Sequence, residues 1–143
     1  MPDSTFAETL VAGLSDALIH VDADGRIQVW NAGAERIFGY SAAEALGNTL
    51  DVIVPASLRD RHAAGFDATM RTGHTKYGNG DILSVPALRK DGSRISVEFS
   101  IVPFADATGK MTGIAAIMRD VTARFEELRA LRREIAALRA GQG

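Results

Sequence analysis

The chain contains no cysteine in its 143 residues. That excludes disulfides, thiolate metal sites, cysteine nucleophiles and any cofactor held through a thioether or cysteinyl adduct. The absence fits a reducing compartment. No apolar run approaches the roughly 18 residues that a membrane-spanning helix needs. The N-terminal Met1-Pro2-Asp3-Ser4-Thr5 lacks the basic segment and apolar stretch of a secretory signal. The expected address is the cytoplasm. An excess of either charge is missing too: 16 Lys and Arg oppose 18 Asp and Glu, a net charge of −2. This balance gives neither nucleic acid nor an acidic membrane an electrostatic reason to bind.

What is present suits one globular domain with one core. Thr5 and Glu8 form a T-x-x-E capping box, and Phe6, Leu10 and Leu14 follow at helical spacing. This predicts an amphipathic cap helix within residues 1–15. Two β-rich runs flank Asp24-Gly25 and predict a hairpin. Asn31 caps a helix that turns Ala34, Ile37 and Phe38 inward, and Gly39 breaks it. Ser41 caps a second short helix carrying Glu44, which Gly47 ends. Pro55-Ala56-Ser57 opens a longer helix that runs to Thr72-Gly73.

From Ile82 to Arg89 the pattern is that of a strand, and its Pro86 predicts an edge position or a bulge. Asp91-Gly92 makes a second hairpin turn. Ile95, Val97, Phe99 and Ile101 then alternate along one face of a strand over 94–101. Thr108-Gly109 leads into a last strand over 112–119. The fold class is therefore α+β: a five-stranded antiparallel sheet with helices on one face. Residues 16–121 form that domain, and residues 122–140 form a separate C-terminal helix. There Leu128, Leu131, Ile135 and Leu138 fit an a-d-a-d heptad. Glu127 with Arg132, and Glu134 with Arg139, are oppositely charged g and e′ pairs. This reads as a parallel coiled-coil homodimer. The competing reading is a single helix lying along its own domain.

The residue that decides function is His62. Leu58, His62, Phe66 and Met70 recur every four residues and share a helix face. An unpaired polar group buried there costs about 1–3 kcal/mol, so the ring needs a carbonyl, a water or a metal.

Four stretches, in order, resemble a PAS domain: Asp22 to Ala32; Phe38-Gly39-Tyr40-Ser41 with Glu44 and Gly47; Arg89-Lys90-Asp91-Gly92-Ser93; and Gly113 to Thr122. The resemblance implies the PAS fold and a sensor, not an enzyme. A ligand sits between sheet and long helix, and a flanking helix carries the signal. No catalytic constellation opposes this: Glu98 and Asp81 are no recognisable acid–base pair, and Gly78-x-Gly80 precedes no helix. Lacking cysteine, the chain cannot run the photochemistry of the flavin-adduct or yellow-protein relatives.

Val54-Pro55, Leu58-Arg59 and Arg61-His62 are similar in order and spacing to the haem-binding PAS sensors of the FixL and Dos types. That resemblance implies haem b with His62 as iron ligand, sensing a diatomic gas or redox state. The haem would lie against Leu58, Phe66 and Met70 of the helix and Leu83, Val97, Phe99, Ile101, Ala116 and Met118 of the sheet. His74 would approach its edge. Asn79, Asp81 or Leu83 would fall on the distal side, where those sensors carry an arginine or methionine and this chain does not. Met70 and Met118 read as core filler rather than sixth ligands, Trp30 as packing at the first hairpin, and Arg61 and Lys76 as surface charge. Two other readings stand beside haem. One is a cofactor-free dimerisation and interaction module with His62 bonded to backbone. The other is a pocket for a flavin, lipid or metabolite.

Overall fold

Strands of alternating burial build the sheet of the computed structural model, which describes residues 4–74 and 82–141. In β1 (Ala17–Asp22), Ala17, Ile19 and Val21 point inward, and β2 (Ile27–Trp30) contributes Ile27 and Trp30 to the same side. The two form the hairpin expected around Asp24-Gly25, with Gly25 at φ 78°. β3 (Leu83–Leu88), β4 (Arg94–Ala105) and β5 (Met111–Asp120) complete an antiparallel sheet in the order β2-β1-β5-β4-β3. β4 runs four residues past its expected end, because its ladder with β5 continues through Pro103↔Ile114 to Ala105↔Met111.

β3 is an edge strand, as Pro86 predicts. The Leu88 N–H, two residues on and facing the same way as the Pro86 nitrogen, turns away from β4 to the Ile53 carbonyl at 2.8 Å. The proline therefore sits where the ladder asks for no donor.

Local chemistry sets the helices. α1 (Ser4–Gly13) already contains Thr5, so Thr5 lies within its first turn and is not its cap. α2 (Ala32–Phe38) is capped by the Asn31 side chain, buries Ala34, Ile37 and Phe38, and stops at Gly39, φ 85°. α3 (Ala42–Ala45) carries the full Ser41/Glu44 capping box; Leu46, not Gly47, stands at its C-cap. The Gly47 N–H instead joins the Ile27 carbonyl at 2.9 Å. A 3-10 turn, Ala56–Leu58, follows Pro55 and feeds α4 (Arg59–Thr72), which ends at Gly73 in the left-handed conformation.

The core lies between the inner sheet face and α2 to α4, centred on Ile19, Ile27, Phe38 and Val97. Trp30 packs at the hairpin as expected, against Phe38 and Tyr40, and donates its indole N–H to the Tyr40 carbonyl at 2.9 Å. α5 (Thr122–Gly141) buries no residue. Among the described residues no helix is long and apolar enough to cross a membrane.

Candidate functional site

The expected haem-facing sheet residues do share one surface. Leu83 pairs with Phe99, Phe99 with Met118, and Ile101 with Ala116, so period-two alternation turns all of them, with Val97, to the inner face. Packing along that face is uneven. Val97, Ala116 and Met118 are buried, whereas Leu83, Phe99, Ile101 and Ile114 are half-buried.

α4 is the other wall. Its stripe rises out of the core toward its N-terminus: Thr69 is buried, Phe66 and Met70 are half-buried, and His62 is exposed. Phe66 reaches the first hairpin, with its ring 3.6 Å from where a Cβ on Gly25 would stand. Leu58 precedes the helix as its N-cap and is half-buried. The expectation of a buried His62 is thus corrected. The four-residue spacing holds, but the core does not extend under the first turn of α4. The ring is open to water and needs no internal partner to offset burial.

Protein on its flanks still disfavours a charged imidazole, and this desolvation lowers the pKa of His62 from its ordinary 6.5, opposed by the Asp51 carboxylate. Among the described residues neither ring nitrogen accepts or donates a hydrogen bond. The neutral form, whose free nitrogen is a ligand for iron, is therefore favoured near neutral pH. No group of three His, Asp or Glu side chains converges among the described residues.

The half-buried apolar residues of α4 and of the inner sheet face, with an imidazole that has no hydrogen-bond partner among the described residues, are the residue types that would hold a haem and offer its iron a nitrogen. His74 is exposed just past Gly73, with its backbone N–H on Thr72 Oγ1 at 3.2 Å. Asn79 and Asp81, with Lys76, lie outside the described residues. Met118 is buried core, and Met70 is half-buried on α4. His20 packs its ring edge-on against Phe104 of β4 on the outer sheet face, 5.4 Å between centroids.

Comparison with known families decides the class: residues 11–126 match the family described as "PAS fold". This chain belongs to the PAS family. PAS is a sensory and interaction fold, and relatives of this PAS domain are signalling sensors. Over 130 residues it is 29% identical to Sensor protein FixL of Bradyrhizobium diazoefficiens, an alignment spanning 87% of this chain and 25% of that protein. Over 136 residues it is 25% identical to Oxygen sensor protein DosP of Escherichia coli, spanning 95% of this chain and 16% of that protein. The chain thus spans a quarter or less of these relatives. In three dimensions it is similar to the PAS domain of a Colwellia psychrerythraea protein, with TM-score 0.69, 23% identity, and 83% and 97% of the two chains covered.

Proposed function

We propose that this PAS domain binds haem b through His62 and senses a diatomic gas or redox state, relaying it through a dimeric α5. The observation that carries the reading is the His62 ring: its neutral form is favoured by desolvation, it has no hydrogen-bond partner among the described residues, and it lies on the α4 stripe that carries the half-buried Phe66 and Met70. Similarity to an oxygen sensor protein supports the same direction. Bound haem would supply the iron at which a gas or an electron is received. Leu58, Phe66 and Met70 would cover one side of it, and Leu83, Phe99, Ile101 and Ile114 the other. A bound state shifts α5 only if it binds two arrangements of the domain with different free energy.

Hemin titration tests this. A stoichiometric Soret band should form with the wild type and be lost in His62→Ala, with the circular dichroism unchanged. An unaltered band in His62→Ala, or no stoichiometric uptake by the wild type, would overturn it.

A second reading, a cofactor-free dimerisation module, is favoured by the exposed apolar stripe of α5: Phe125, Leu128, Leu131, Ile135 and Leu138. It predicts a dimer in sedimentation whether or not hemin is present.

A further inference from the structure

A row of alternating charge crosses the outer sheet face. β5 lies between β1 and β4. Glu98 of β4 pairs with Arg119 of β5, and carrying the Ala17↔Met118 register on by one residue puts Asp16 on the other side of Arg119. Arg119 therefore stands between two carboxylates, one on each flank, at the spacing of cross-strand neighbours. It bonds Asp16 through Nε and Nη2 at 3.2 and 3.1 Å, and among the described residues Glu98 has no salt bridge. The pKa of Arg119 is raised, first by these bonds to Asp16 and to a lesser degree by the charge of Glu98.

Glu98 also faces a second arginine. With Arg124 and Phe125 from the start of α5, it lines a groove of about 330 Å³ between that helix and the sheet. This end of α5 is anchored on β4: the Val121 N–H bonds the Ser96 carbonyl at 2.9 Å, and Thr122 Oγ1 accepts from the Ser96 N–H at 2.9 Å. No residue of α5 itself is buried, so a weak contact suffices to change how firmly its first turns lie on the sheet.

We propose that Arg119 and Arg124 contest Glu98, so that the Asp16–Arg119 pair controls the docking of α5. While Asp16 holds Arg119, Glu98 is left to Arg124 and the first turns of α5 stay on the sheet. When Asp16 lets go, Arg119 turns to Glu98 and Arg124 loses its carboxylate. One guanidinium with two alternative partners is the two-state element that coupling between distant sites requires. The input is α1, because Asn31 bonds the carbonyls of both Val11 and Asp16, so a shift of that helix bears on Asp16. The device needs neither haem nor a second copy of the chain.

Amide hydrogen exchange of the full chain without hemin tests it at Val121 and Phe125, whose N–H groups bond the Ser96 and Val121 carbonyls. Exposed ion pairs shift an equilibrium by only about two- to fivefold. Asp16→Asn should speed exchange at both amides by that factor, with Ile19 and Val21 of β1 unchanged. Glu98→Gln should do the same, and the double variant should be no faster than Glu98→Gln alone, because Asp16 acts through Glu98. Arg119→Gln deletes both bonds to Asp16, yet should leave Val121 and Phe125 as protected as in the wild type or better, since Glu98 then belongs to Arg124 alone. Faster exchange in Arg119→Gln, unchanged exchange in Asp16→Asn, or fully additive effects in the double variant each overturn the proposal. Should Asp16→Asn unfold the sheet, Glu98→Gln and Arg119→Gln decide by themselves, and only the first should speed exchange.

Discussion

The side-chain amide of Asn31 donates to the carbonyl of Val11 at 2.8 Å, tying the last turns of α1 to the start of α2. It also donates to the Asp16 carbonyl at 3.1 Å, while its oxygen accepts from the Leu18 and Ala34 N–H groups at 2.8 and 3.0 Å. Both donors and both acceptor sites of a buried amide are thus used, across three elements. Asn31→Ala loses the helix cap and strands several buried backbone groups, so it should cost about 3 kcal/mol. Asn31→Asp keeps the two acceptor roles, loses both donors, and should fall between. Urea unfolding of the three proteins checks the order.

The linker after α1 is gripped closely enough to exclude a methyl group. A Cβ on Gly33 would stand 2.1 Å from the Asp16 carbonyl oxygen and 2.8 Å from that of Ser15. Backbone cannot yield as a flexible side chain can, so Gly33→Ala should destabilise by about 3 kcal/mol. A Cβ on Gly65, in the exposed part of α4, would meet nothing within 4 Å. Gly65→Ala should therefore stabilise, by about 0.5–1 kcal/mol through helix propensity alone. Thermal melts of the pair, moving in opposite directions, provide the check.

Glu44 makes part of the stability dependent on acid. Its carboxylate accepts from Lys90 and from the Ser41 N–H, and these bonds lower its pKa from 4.5 to about 2. A depressed folded-state pKa means the contribution is fully present above 4.5 and fades as the pH falls toward 2. The pair is exposed, so the effect is modest and weakens in salt. Wild type should exceed Glu44→Gln in stability at pH 6 at low ionic strength, with the gap closing between pH 4.5 and 2. A gap independent of pH would contradict this assignment.

His62 titrates in the opposite sense to a histidine that gains an acidic partner. Desolvation lowers its pKa, so the folded state resists protonation, and stability declines as the pH falls through 6.5. Asp51 pulls the other way, so Asp51→Asn should lower the midpoint further. NMR titration of the His62 ring in both proteins, without hemin, measures the two shifts directly.

Where a side chain acts on backbone a few residues away, the sequence could be read directly. The Ser41/Glu44 box, the Asn31 cap and the stops at Gly39 and Gly73 are contacts of this kind. The alternation of β4 and the edge position of Pro86 follow from pleat geometry and a missing N–H. The misses are non-local. Periodicity places His62 and Phe66 on one face but cannot say where the sheet ends beneath them, so the exposure of His62 was invisible. Nor could spacing indicate that Asn31 reaches Val11 and Asp16, 20 and 15 residues upstream. The extension of β4 through Pro103 to Ala105 depends on pairing with β5, which no local pattern announces.

Pro86 has a consequence on a larger scale. With no hydrogen on its nitrogen, and with the Leu88 N–H already committed to Ile53, the outer margin of β3 is a poor template for strand-by-strand growth. Copies of the domain can therefore be crowded together without their sheets growing into filaments from this margin.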